Sequence, residues 1–427
     1  MRSILTPQNA SSEDSSFGAT WPLWLFSVCI VSLTFKQLRA DSFAGPAEWL
    51  TAIVALALVV DSLRRGALQK NWYILGAALT FGALLLGGVW ALLVEPQRVD
   101  IRETAAHVFT FLVVVAFLAL AWRREATALA ILACVISFYL TLIQILAIVP
   151  SPLQSMMIWV DGQRLQGLSD NPNQIALLAI ASLVLLVQAE MQGQLERKIM
   201  VPLTLSSAAA GFMSGSGAFI FALLVTTALA IAIMAINMGL FGSLSRVRMQ
   251  RAPLTIILVG LLIFGVVARE SMNAVVGIAT FDRSQVAEIM EAESRQGYVR
   301  IELWEQALAV GAQSPLIGFG PGLHLNPDKP SSPKEAHNTL LDVFVFSGLV
   351  GIFALGALGV LTLRGAFRNG HLATVLLMGC AIVTFAMFHY TGRHPVFWIV
   401  IFATVYAAGS YPLPGTSSER QEPVSCA

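Results

Sequence analysis

Long apolar runs joined by short polar connections set the pattern of this chain. Twelve runs stand out, at about 20–36, 46–63, 72–94, 104–122, 126–149, 173–190, 199–214, 216–241, 252–268, 338–363, 371–389 and 395–411. Each is close to the ~17–25 residues that an α-helix needs to cross a hydrocarbon core. The pattern predicts an all-α integral membrane protein of about twelve transmembrane helices. Spans seven and eight almost touch at "MSGSGAF", residues 213–219.

Two longer polar segments interrupt the rhythm, 150–172 and 269–337, and function usually sits on loops carried by a rigid scaffold. The first ends in "SDNPNQIA", where Ser169, Asp170 or Asn171 is placed to cap the next helix and Pro172 to fill its first turn. The second predicts two helices. In "DRSQVAEIMEAE", Val286, Ile289 and Met290 form an apolar stripe behind an Asp282 cap, and in "RQGYVRIELWEQALAVG" the stripe is Ile301, Trp304 and Leu308. Such helices are expected to rest on the membrane surface or on the tops of the spans. Pro315 and the glycines of "PLIGFGPGLHLNP" then end the second helix in a tight link. The chain divides into a tail (1–19), nine spans (20–268), a large outer loop (269–337), three spans (338–411) and a polar tail (412–427).

Composition agrees with this plan. The chain is 56% hydrophobic and 12% charged, with a mean hydropathy of +0.73, too apolar for soluble domains. With both termini inside, twelve Lys and Arg fall in the short inner connections and six in the short outer ones, the bias expected of cytoplasmic termini. Glu13 and Asp14 make a poor signal-peptide n-region, so the first run is expected to be a retained span. A net charge of +1, spread over loops, gives no sign of nucleic-acid binding. Cys29, Cys134 and Cys380 lie in spans and Cys426 in the tail, which sets thiol and disulfide chemistry aside.

Six histidines are present, without an HExxH pair or a zinc-like spacing, so no metal or other cofactor is expected. His337, in "KEAHNTLLD", stands where the large outer loop enters the tenth span. Imidazole there is either a general base or a boundary residue bonded to an orphan backbone group. On the same side, Arg164, Arg269, Arg283, Arg295, Arg300 and Arg393 lie in the two longer loops or at span ends, and guanidinium suits a pyrophosphate at a membrane surface. Trp304 lies one turn beyond Arg300 on the same helical face. The "GFGPG" stretch, with no preceding strand and no following Lys, is a turn and not a phosphate cradle. Few acids fall within spans, Asp61 and Asp342 near their ends, which counts against a proton-coupled transporter.

"RLQGLSDNPNQIA", "RIELWEQAL....SPLIGFGPG" and "HNTLLDVFVFSGLVGIF", in that order and on one membrane side, with "RHPVFW" near the end, resemble the O-antigen ligase and polymerase superfamily over about residues 100–405. The chain departs from that pattern at "SGSGAF", where Gly217 stands in place of an expected arginine, leaving the charge there to another outer arginine. The resemblance implies a GT-C-like glycosyltransferase of the bacterial inner membrane with its active site facing the periplasm. The donor it implies is a glycan on undecaprenyl pyrophosphate, the acceptor lipid A–core. It maps the catalytic histidine onto His337 and pyrophosphate-binding arginines onto Arg164 and Arg300, and puts Asn173, Trp304 and Asn338 among the substrate contacts. A polymerase or protein O-glycan ligase of the same superfamily shares this donor. A lipid-linked glycan flippase is the alternative of another class.

Overall fold

The computed structural model describes residues 17–35, 45–64, 72–94, 101–121, 124–149, 159–160, 164–237, 299–323, 325 and 335–409. They form helices α1 (Phe17–Ser32), α2 (Pro46–Arg64), α3 (Trp72–Val94), α4 (Ile101–Ala121), α5 (Glu125–Ile148), α6 (Pro172–Met191), α7 (Arg197–Met213) and α8 (Gly217–Asn237). Then follow α9 (299–311), α10 (Thr339–Arg368), α11 (Leu372–Ala386) and α12 (Pro395–Gly409). A two-stranded antiparallel hairpin, β1 (Trp159–Val160) with β2 (Arg164–Leu165), pairs Val160 with Arg164. Eleven of the twelve expected spans coincide with a helix; the twelfth, 252–268, lies outside the described residues, as do the expected helix behind Asp282 and Arg269, Arg283 and Arg295.

Seven of these helices are long and apolar enough to cross a membrane, and α11, α12 and residues Thr20–Ser32 of α1 are shorter apolar helices. The protein is a multi-pass membrane protein. Its helices meet through small residues, as expected where lipid competes for every apolar side chain. Between α5, α6 and α7, Ala130, Ala133, Ala179, Ala181, Ala208 and Ala210 are fully buried. The same three helices each contribute one hydroxyl to a triangle: Ser137 to Ser182 at 2.6 Å, Ser182 to Ser207 at 2.9 Å and Ser207 to Ser137 at 3.2 Å. Helix α12 is buried along most of its length, Trp398 included, and packs on α4, α6, α10 and α11.

Helix α10 is interrupted. Gly348, at φ 57° and ψ −152°, breaks it ten residues in, about 15 Å along its axis at 1.5 Å per residue. The backbone groups freed there bond to the glycine-rich link after α9. Phe319 N donates to Val345 O at 2.9 Å and Gly320 N to Phe346 O at 2.7 Å, while Leu349 N donates to Pro315 O at 2.8 Å and Val350 N to Leu316 O at 3.1 Å. The link is thus a turn, as expected, with these amides spent on α10. Helix α3 closes over it so tightly that a Cβ on Gly87 would stand 2.0 Å from Phe346 O.

Helix α9 turns a different face inward from the expected stripe. It runs beside the first half of α10, from Trp304 against Ala336 to Gly311 against the Phe344 ring. Its buried face is Leu303, Ala307 and Val310. Ile301 and Leu308, two members of the expected stripe, are exposed. An apolar residue in a membrane protein can face lipid as readily as protein, so hydrophobicity alone does not tell which face turns inward.

Candidate active site

One end of the bundle collects the polar chemistry. The starts of α4, α6, α8, α9, α10 and α12 meet there with the ends of α7 and α11. Asn171 caps α6 by accepting from Asn173 N at 2.9 Å, and Pro172 occupies the first helical position. Beside this cap, Arg164 reaches from β2 across to the α7–α8 turn. Its Nε donates to Ser214 O at 3.0 Å and its Nη2 to Asn173 Oδ1 at 3.3 Å. The turn is the "SGSG" stretch where Gly217 replaces the expected arginine, so Arg164 brings a positive charge to it. Gly215, at φ 60°, leaves the room: a Cβ there would lie 3.1 Å from Arg164 Cγ.

The helix-capping role open to His337 belongs to its neighbour. Asn338 caps α10, its Oδ1 accepting from Leu340 N at 3.1 Å and Leu341 N at 3.3 Å. His337 has φ 52° and is the one non-glycine residue with positive φ among those described. Such a conformation costs about 1–3 kcal/mol. The amides on either side donate to the Asp342 carboxylate, Ala336 N to Oδ1 at 2.7 Å and Asn338 N to Oδ2 at 3.3 Å. Intramolecular hydrogen bonds contribute about 0.5–1.5 kcal/mol each, so the pair is of a size to offset the strain. Trp304 Nε1 donates to Ala336 O at 3.1 Å and ties α9 to the same segment.

The His337 ring meets His389 edge to face, with centroids 5.9 Å apart and planes at 81°. Thr339 Oγ1 holds the His389 main chain by donating to its carbonyl at 2.7 Å, and the His389 ring stacks on Phe385 at 5.7 Å. Burial first, then the Arg300 and Arg393 charges, pushes the His337 pKa below the ordinary imidazole value of 6.5. His389 is pushed down to about 4 by burial, then by His337, Arg300 and Arg164. Both rings therefore stay neutral near pH 7, in the field of arginines drawn from β2 and α9.

The arginines differ in company. Among the described residues, no carboxylate pairs with Arg164 or Arg300. Arg393 instead bonds Glu103 Oε1 at 2.8 Å and Oε2 at 3.0 Å and pairs with Glu335, lying over the Tyr390 ring at 5.7 Å. Tyr390 in turn bonds His107 Nε2. The structure brings together Arg164, Asn173, Arg300, Trp304, His337, Asn338 and Arg393. Sequence reasoning missed His389, Tyr390, Glu103, Glu335 and the part played by Asp342. A shared signal was present, since all are polar residues at span ends on the side of His337. No group of three or more His, Cys, Asp or Glu among the described residues is arranged to hold a metal.

A family model described as O-Antigen ligase matches residues 202–356. The match takes in α8, Arg300, Trp304, His337, Asn338 and the break at Gly348, while Arg164 and the His389–Arg393 loop lie outside it. No curated protein matches the chain.

Proposed function

The chain carries an O-antigen ligase family domain at residues 202–356, and from that premise we propose that it transfers a glycan from undecaprenyl pyrophosphate to a sugar hydroxyl of lipid A–core. The observation that carries the proposal is the meeting of two neutral imidazoles, His337 and His389, with two arginines free of carboxylate partners among the described residues. A dianionic pyrophosphate donor gains a further negative charge as its pyrophosphate departs, which needs positive charge, and the attacking hydroxyl needs a base.

In this scheme Arg164 and Arg300 hold the pyrophosphate oxygens by charge-assisted hydrogen bonds. The hydroxyl oxygen attacks the anomeric carbon as the bond from that carbon to the phosphate oxygen breaks and its electron pair leaves with the pyrophosphate. His337 takes the hydroxyl proton, and a single displacement inverts the anomeric configuration. Arg393, paired with Glu103 and Glu335, anchors the loop that carries His389. Asn338 spends its Oδ1 on the cap and Trp304 its Nε1 on Ala336, which leaves the Asn338 side-chain NH2 for substrate and gives Trp304 a shaping part. The proposed setting is the bacterial inner membrane, both termini cytoplasmic and the site facing the periplasm.

The test is transfer in detergent with purified protein, lipid-linked glycan donor and lipid A–core as the one added acceptor, wild type beside His337→Ala. Glycosylated lipid A–core from wild type and none from a folded His337→Ala supports the assignment. Longer lipid-linked chains identify a polymerase instead. Consumption of donor by neither protein removes the enzyme assignment and returns the flippase.

A further inference from the structure

Resting on the assignment of His337 as base, we propose that Asp342 is a positioning residue, whose carboxylate grips the two peptide N–H groups flanking His337 and so aims the imidazole into the arginine-lined site. Asp342 lies in the first turn of α10 and is fully buried. Its two oxygens take the amides of Ala336 and Asn338, one on each side of the single non-glycine residue with positive φ among those described. The carbonyl of Ala336 is held separately by Trp304 Nε1. The main chain is thereby anchored before and after His337. The His337 ring itself has no hydrogen-bond partner among the described residues, so its direction is set through the backbone.

Helix capping accounts for only one of the Asp342 bonds: the contact to the N-cap N–H of Asn338 is of the capping-box kind, while the one to Ala336 N lies two residues ahead of the cap. Asn338 already caps the amides of Leu340 and Leu341, and Asp342 bonds instead to residues ahead of the helix. Burying a carboxyl group is costly without hydrogen-bond partners; here the two amides supply them. Catalytic bases are commonly oriented by a third group bonded to the ring. In this protein the orienting acid acts one step back, on the peptide, which leaves both ring nitrogens available to substrate.

Asp342→Asn and Asp342→Glu, in the full chain in detergent, test this. Asparagine puts an NH2 group where one amide needs an acceptor; glutamate keeps the carboxyl group and displaces it by one methylene. In both, kcat should fall about 10–100-fold, the scale of a small misplacement of a catalytic group, with donor KM within roughly twofold of wild type. Residue-resolved modification by diethyl pyrocarbonate reads the ring without reference to transfer. The rate at His337 should change in both variants while that at His371 holds. Wild-type kcat and wild-type His337 modification in both overturn the proposal, as does a general rise at every histidine in both, which marks a scaffold role. If wild type itself transfers no glycan, the base assignment fails, and the modification rates alone then support or overturn the grip.

Discussion

An imidazole serves as a base near pH 7 only if its surroundings keep the proton off until the reacting hydroxyl delivers one. Burial and the charges of Arg300 and Arg393 do this for His337 by moving its pKa below 6.5. Transfer should therefore be constant above that value and fall on acidification, as the ring protonates, with the midpoint of the acid limb below pH 6.5. A kcat/KM profile for wild type checks it, and a limb above pH 6.5 would contradict the assigned environment. Arg300 is argued to grip phosphate with a planar, two-pronged donor set. Lysine keeps the charge and loses the fork, so Arg300→Lys should lower kcat/KM by roughly 10²-fold, the scale of losing one preorganised donor. Steady-state kinetics that match wild type would reduce Arg300 to a generic surface charge.

At the scale of elements, the decisive feature is the interruption of α10. A helix broken within a membrane leaves backbone groups that cost several kcal/mol each if unpaired, and the link after α9 pairs them. The geometry demands glycine at position 348, where φ is 57° and a Cβ would lie 2.4 Å from Leu316 C. Gly348→Ala should accordingly destabilise the protein by about 1–3 kcal/mol through strain and overpacking, read as a lower thermal midpoint in detergent. Gly356→Ala and Gly359→Ala, in the same helix with nothing within 4 Å of the added methyl, should match or exceed wild type. Equal effects at all three positions would refute the account of the break. The break also bears on the site, because the link that fills it fixes the depth of α9 and hence the height of Arg300 and Trp304 beside His337.

Over the whole molecule, the site is assembled from segments far apart in sequence. Arg164 comes from a hairpin before α6, Arg300 from α9, His337 from the entry to α10 and His389 from the exit of α11. Their convergence places the guanidinium charges of Arg164 and Arg300, without carboxylate partners among the described residues, at one end of the bundle. That charge is of the kind that stabilises a departing pyrophosphate. Transfer is therefore expected to persist in excess EDTA, and a loss restored by Mg²⁺ would show that the arginines do not suffice.

Hydrophobic periodicity by itself determined the class of the molecule and nearly every helix that the structure describes, because an apolar run of membrane length has few other outcomes. Local rules narrowed the α6 cap to Ser169, Asp170 or Asn171 and determined the turn at "GFGPG" and the boundary position of His337. Tertiary structure decided what depends on contacts between distant segments: the inward face of α9, the break at Gly348, the pairing of Arg393 with Glu103 and Glu335, and the meeting of His337 with His389. None of these follows from local pattern. Lipid and protein offer an apolar side chain similar surroundings, and a charged side chain shows its role only through the partner that folding brings to it.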